Sequence, residues 1–232
     1  MRFTRLISGI FAAVAAATPV PIPAEQAAEA AKAPAAGCSV GFVFARGSTE
    51  PSPIGLLIGP GLQSALKTKI PGMQTFPVMY AASIGTNISM DRTDAASIQK
   101  GLDAFNKASS CEVLIAGGYS QGAAVMHNVV QKKLSAEQKN KLAGVALFGD
   151  TRNKQDGGHI KDFPTEKSKV WCNPTDGVCG GMLNVNAGHL AYSPSQLNEA
   201  ATYLANLAKG GKASGGKSGG KFGSKTQAKV RD

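Results

Sequence analysis

Short apolar runs rich in Val, Ile and Phe alternate along the chain with longer amphipathic stretches. Ser39–Ala45 (SVGFVFA) predicts a strand, followed by a Gly/Pro-rich loop to Pro53. Gly55–Thr68 predicts a helix, Phe76–Tyr80 a strand and Asp91–Ser109 a helix. Glu112–Ala116 predicts a strand, Gln121–Leu134 a helix, Val145–Phe148 a strand and Lys169–Cys172 a short strand, with Pro194–Leu207 as a closing helix. Five strands separated by helical stretches form βαβ units, so the pattern predicts an α/β fold of three layers. Its centre is a mostly parallel five-stranded sheet covered on both faces. No internal repeat interrupts the pattern.

The ends of the chain read differently. Arg2 and Arg5 precede an apolar stretch, Leu6 to Ala17, that is too short to span a bilayer and closes on small residues. That is the pattern of a secretory signal peptide over residues 1–17. Residues 18–36, rich in Ala and Pro, read as a linker or propeptide, and 37–208 as the folded domain. Residues 209–232 hold six Lys and one Arg against one Asp, with seven Gly. They bury too little apolar surface to offset ordering and read as a flexible basic tail.

The formal charge of +10 over 232 residues invites a nucleic-acid reading, but the tail supplies +6 of it and the signal peptide +2. The domain is left nearly balanced, so a nucleic-acid-binding fold loses its support. A narrower expectation survives, that the tail contacts anionic wall polysaccharide or a membrane surface. A solvated tail without a partner is the plainer alternative.

Four cysteines, Cys38, Cys111, Cys172 and Cys179, suit a disulfide framework in a secreted chain and allow three connectivities. Cys172 and Cys179 flank a Pro-Thr-Asp-Gly turn, so local pairing is the easy choice and leaves Cys38 with Cys111. A zinc site is disfavoured by the absence of any C-x-x-C pair and by only three histidines.

Gly117-Gly118-Tyr119-Ser120-Gln121-Gly122 follows the strand EVLIA and opens a helix. It contains G-x-S-x-G in the strand–turn–helix setting of a nucleophile elbow. Glycines there permit a turn sharp enough to push Ser120 out at the sheet's end, beside helix amides that favour developing negative charge. A serine nucleophile needs a base. His127, on the same helix, reads as a surface or packing residue, and His159 as an exposed loop residue. His189, before the closing helix, is the favoured base. The orienting acid comes from Asp150, Asp156, Asp162 or Asp176. Asp150 ends the strand VALFGD and Asp176 lies within the small cysteine loop; spacing favours Asp176 but leaves Asp150 open.

With these residues in hand, the stretch from about 38 to 207 resembles a fungal cutinase, among the small lid-less α/β-hydrolases that include acetylxylan esterases. The resemblance rests on Phe44-Ala45-Arg46-Gly47-Ser48-Thr49-Glu50, Gly118–Ala123, Leu147–Asp150, Cys172–Cys179 and His189-Leu190-Ala191-Tyr192. It implies an α/β-hydrolase-type fold without a lid and the disulfides Cys38–Cys111 and Cys172–Cys179. It assigns Ser120 as nucleophile, His189 as base and Asp176 rather than Asp150 as acid. It further implies an oxyanion hole from the backbone N–H groups of Ser48 and Gln121 with the Ser48 hydroxyl, and acyl-crevice walls at Ile84, Leu183, Val185 and Leu190. Without it, Ser48 reads as a turn serine and the four aliphatics as core or scattered surface residues. Thr175 departs from the family, which often has Gly there.

The reaction implied is ester hydrolysis through an acyl-enzyme, with no metal or organic cofactor. Cutin polyester leads as substrate, with acetylated xylan and short acyl esters as rivals. The expected partner is a polymeric or lipid-like ester, and the expected state an extracellular monomer. A different class, a non-catalytic secreted binder working through its basic tail, is disfavoured because all three triad residue types are present. Asn87-Ile88-Ser89 is the one Pro-free glycosylation sequon.

Overall fold

The computed structural model describes residues 37–215. The stretches read as signal peptide and linker, and the tail beyond Gly215, lie outside the described residues. Five strands, β1 (Val40–Ala45), β2 (Gln74–Pro77), β3 (Val113–Tyr119), β4 (Leu142–Phe148) and β5 (Ser168–Trp171), form one sheet in the order β2-β1-β3-β4-β5. Every pairing is parallel, with Val43 opposite both Phe76 and Ala116, and Tyr119 opposite Phe148. All strands therefore present their carboxyl ends at one edge, where ligand sites of open α/β sheets form.

The helices are α1 (Gly59–Lys69), α2 (Ala95–Lys107), α3 (Gln121–Lys132), α4 (Ala136–Lys141), α5 (Asn153–Asp156), α6 (Ala187–Leu190) and α7 (Pro194–Gly215). Short 3-10 turns lie at Ile84–Ile88 and Thr165–Lys167. Alternate strand residues feed two cores. Val43, Leu114, Val145 and Leu147 pack with Phe105, Val125 and Val129 of α2 and α3. Phe42, Phe44, Ile115 and Phe148 pack with Leu62 and Leu66 of α1 and with Ala201 and Leu204 of α7. The central strands are buried along their full length, as a sheet covered on both faces requires. The three-layer α/β fold expected from the apolar pattern is the fold observed.

Boundaries shift where side chains take over backbone hydrogen bonds. The first helix starts at Gly59 rather than Gly55, because the Glu50 carboxylate accepts the amides of Leu56 and Leu57 at 3.0 and 2.9 Å and Gly55 is left-handed. Helix α2 starts at Ala95 rather than Asp91, set by Asp94, whose carboxylate accepts the Ser97 amide at 2.6 Å. Helix α4, unforeseen in the sequence pattern, carries a reciprocal Ser135/Gln138 cap that stabilises its short span. The closing helix runs through Gly210 and Gly211 to Gly215, past the boundary read at Leu207 and into the stretch read as tail. Gly211 lies against Val113 and Ala143, so contact with the sheet offsets the low helix propensity of the glycines. Both expected disulfides, Cys38–Cys111 and Cys172–Cys179, are formed. The first closes a separation of 73 residues, worth about 4 kcal/mol in a chain-entropy account.

Candidate active site

Ser120 sits between β3 and α3 with φ 55° and ψ −119°, a left-handed-side conformation unusual for a residue with a Cβ. The strain is held from several sides. The Ser120 amide donates to the Phe148 carbonyl at 2.9 Å, and a Cβ at Gly118 would meet the Gly122 carbonyl oxygen at 2.5 Å. A Cβ at Gly122 would lie 2.1 Å from the Ala45 carbonyl oxygen. Only glycine at both positions lets strand, turn and helix close so tightly, which is the physical content of the G-x-S-x-G spacing.

His189 comes from the third position of α6, a four-residue helix capped by Asn186, whose side chain accepts the His189 amide at 3.1 Å. Its ring is buried, and Nδ1 lies 3.1 and 3.0 Å from the two carboxylate oxygens of Asp176. Asp176 is fixed in turn: Oδ1 accepts the Val178 amide at 2.9 Å and Oδ2 the Tyr192 hydroxyl at 2.8 Å. The Tyr119 ring stacks on the imidazole at 5.1 Å between centroids, and its hydroxyl donates to the His189 carbonyl at 2.9 Å. Burial, with the nearby acids, holds the Tyr119 and Tyr192 hydroxyls in their neutral, donating form well above the usual tyrosine range. Gly149, at φ 52°, completes the seat, since a Cβ there would lie 2.5 Å from His189 Cε1.

A cleft of about 590 Å³ opens at this edge of the sheet. Ser48, Ser120 and His189 line it, as do the four aliphatics Ile84, Leu183, Val185 and Leu190. Gln121 and Asp176 are buried and do not line it. Gln121 follows Ser120 at the start of α3, and its side-chain amide donates to the Ser83 carbonyl at 2.9 Å and to the Thr86 hydroxyl. Asn87 Nδ2 donates to Ser48 Oγ at 2.8 Å and to the Ile84 carbonyl at 3.0 Å. That nitrogen is the atom a glycan would occupy. Asn87 is only 8% exposed, with that nitrogen engaged by both acceptors.

Sequence reasoning missed part of the wall. Leu56, Leu57 and Ile88 also line the cleft, and Ile88 is 83% exposed. The apolar spacing of 55–68 reads as helix, which hid the first two; Ile88 lay under the sequon. Tyr119, Tyr192 and Gly149 were missed because nothing local marks a residue that supports a distant imidazole.

His127, expected as a surface or packing residue, is fully buried. Nε2 lies 2.8 Å from Asp150 Oδ2 and Nδ1 3.1 Å from Asp156 Oδ2, the second contact being ionic rather than a well-aligned hydrogen bond. Burial opposes its charge, but the two carboxylates outweigh that cost and push its pKa up to about 9. Asp150, the alternative acid left open by spacing, is thus engaged with His127, while Asp176 meets His189. Asp162 lies exposed on a turn, and His159 contacts its own loop at the Gly157 carbonyl.

Fold and site together define an α/β-hydrolase-type ester hydrolase. The sequence profile of the family described as Cutinase matches residues 36–208, and the chain belongs to that family. It is 36% identical over 219 residues to Cutinase 3 of Emericella nidulans, covering 89% of this chain and 98% of that one. A Trichoderma reesei cutinase solved with a C11Y4 phosphonate inhibitor superposes with a TM-score of 0.61 at 27% identity, over 79% of this chain and 84% of that one. An acetylxylan esterase shares the fold, with a TM-score of 0.60 at 18% identity over 73% of this chain and 98% of that one. The chain is a carboxylic-ester hydrolase of the cutinase type.

Proposed function

We propose that this protein is a secreted serine esterase that cleaves aliphatic polyester of the cutin kind through an acyl-enzyme. Ser120 is the nucleophile, His189 the general base and Asp176 the acid that orients the imidazole. The observation that carries the reading is the pairing of Asp176 with His189 Nδ1. It fixes the ring's tautomer and leaves Nε2 to take a proton from the strained serine on the same cleft wall.

In the first half-reaction Ser120 Oγ attacks the ester carbonyl carbon as its proton passes to His189. The imidazolium, steadied by the Asp176 carboxylate, then protonates the departing alcohol. In the second half-reaction His189 takes a proton from water, hydroxide adds to the acyl carbon, and Ser120 leaves with the proton returned. The carbonyl oxygen gathers negative charge in both halves. The amides of Ser48 and Gln121 and the Ser48 hydroxyl are its donors in this reading. Ser48 Oγ accepts from Asn87 and lines the cleft, which leaves its own proton free to be donated there.

The substrate reading rests on the cleft wall. Ile84, Ile88, Leu56, Val185 and Leu190 are exposed around the reacting residues, a grouping that favours an apolar chain or polymer surface over a sugar. The disulfides fit an oxidising, extracellular setting. The test is product release from cutin or an aliphatic polyester, tributyrin and acetylated xylan by the wild type and by Ser120→Ala. Release of hydroxy fatty acids by the wild type alone is expected. Acetate release without polyester cleavage would reassign the substrate to acetylxylan, and equal rates for the two proteins would remove the serine assignment.

A further inference from the structure

The segment that leaves β4, residues 149–156, touches each part of the site, and its Thr151 also lines the cleft. Gly149 backs the His189 ring, and the Thr151 hydroxyl donates to the Ser120 carbonyl at 3.5 Å. Arg152 Nη1 donates to the Met90 carbonyl at 3.2 Å, on the stretch that carries Ile84, Asn87 and Ile88. Asn153 Nδ2 donates to the Cys179 carbonyl at 3.1 Å, closing on the loop that holds Asp176. A shift of this one segment would move base, nucleophile and cleft wall together.

What holds the segment down is a set of buried charges. His127 projects from α3, the helix that Ser120 opens, and meets a carboxylate at each ring nitrogen. A neutral imidazole carries one N–H and one lone pair, so one of the two carboxylates would face a lone pair. A carboxylate at each of the two ring nitrogens favours the imidazolium. The charged groups around it are Asp150 and Asp156 directly, then Arg152 and Lys161, with the partly exposed Asp91, itself paired with Lys132, 3.4 Å from Arg152 Nη1. Arg152 Nε reaches Asp156 Oδ2 at 2.7 Å, and Lys161 Nζ reaches Oδ1 at 3.1 Å. The Arg152 amide donates to Asp150 Oδ1 at 2.8 Å. Among the buried members, two positive charges balance two negative ones only when His127 is protonated, and losing that proton would leave an excess carboxylate away from water.

We propose that His127, Asp150 and Asp156 form a buried charge cluster that holds residues 149–156 beneath Ser120 and His189, which makes His127 a positioning residue for ester hydrolysis. The proposal rests on the assignment of Ser120 and His189 given above. His127 does not line the cleft and acts only through the segment it anchors. Asp150, a candidate acid by sequence position, takes a different role here, as the inner anchor of that segment.

The test uses the full chain as wild type, His127→Gln and His127→Gln/Asp150→Asn, with p-nitrophenyl butyrate as substrate and NMR of the His189 ring as a second readout. His127→Gln is expected to lower kcat about 10- to 100-fold with KM nearly unchanged, and to shift the His189 ring resonances. The double variant, in which the Asn amide can donate to the Gln carbonyl, should recover part of that loss. A folded His127→Gln protein with wild-type kcat and unshifted His189 resonances would overturn the proposal. Should His127→Gln not fold, the wild type decides. Its three histidine resonances are followed from about pH 7 to about pH 10 beside kcat. A fall in kcat and a movement of the His189 signals in step with loss of the His127 proton support the proposal; both staying constant through that loss refutes it. Ser120→Ala separates the underlying reading, since residual wild-type turnover there would unseat the serine whatever His127 does. The His189 resonances report positioning without turnover.

Discussion

The molecule holds two histidine–aspartate pairs on one sheet edge, and they do opposite things. His189 meets a single acid at Nδ1 and lines the cleft. His127, wholly buried, has a carboxylate at each nitrogen and so no nitrogen left to exchange a proton with a substrate. The difference lies in the count of carboxylates around the ring rather than in residue type. In the proposed reading, one acid orients an imidazole that changes charge during the reaction, while two acids hold the other in one charge state as an anchor.

The largest separation between the pairs should come from neutralising each acid. Asp176→Asn is expected to lower kcat on a short ester by about 10⁴-fold while leaving the melting temperature nearly unchanged, because it disturbs the tautomer rather than the packing. Comparable activity losses from Asp176→Asn and Asp150→Asn would erase the distinction.

Breaking the other pair should appear first in stability. His127→Phe leaves Asp150 and Asp156 buried without their shared cation and is expected to cost about 3–5 kcal/mol, read by urea unfolding. A loss under about 1 kcal/mol would mean that the cluster is better solvated than its burial indicates.

The same pair gives a pH dependence whose sign follows from linkage. His127 titrates near 6.5 when unfolded and at about 9 when folded. Its stabilising contribution is full below about pH 6.5, declines from there, and is gone above about pH 9, a change on the order of 3 kcal/mol. Asp156, held below the usual carboxylate range by His127, Arg152 and Lys161 despite its burial, works in the other direction. Its contribution is present above about pH 4 and lost as pH falls through the lowered value. Urea midpoints for wild type and His127→Phe across this range should converge at alkaline pH. Parallel curves would contradict the assignment of charge to His127.

A smaller effect belongs to the cleft beside the reacting pair. If Ser48 donates to the oxyanion as proposed, Ser48→Ala is expected to lower kcat by roughly 10²-fold with KM little changed. Asn87→Ala, which only frees the Ser48 hydroxyl from its partner, should cost less. The reverse order would move the donor role from Ser48 to Asn87.

Legibility in the sequence follows how local each constraint is. The alternation of apolar strands and amphipathic helices and the glycines around Ser120 act over a few residues, and both could be read directly. Gly118 and Gly122 are required by contacts with their own turn and with β1. The choice between Asp150 and Asp176 was open by spacing because each ends or follows a strand at the same sheet edge. It depends on which histidine each one meets, 23 residues away for Asp150 and 13 for Asp176. His127 read as a surface or packing residue for the same reason: its partners lie on another element and leave no periodic trace on α3. Residues 55–58 read as the start of a helix, yet Glu50 accepts the Leu56 and Leu57 amides and the stretch forms part of the cleft wall instead.

The most direct measurement is mass spectrometry of the acyl-enzyme, quenched in acid during turnover of p-nitrophenyl butyrate. A butyryl adduct on the peptide containing Ser120 is expected, absent from Ser120→Ala and strongly reduced in His189→Ala. An adduct at another residue, or undiminished ester hydrolysis by Ser120→Ala, would contradict the assignment of Ser120.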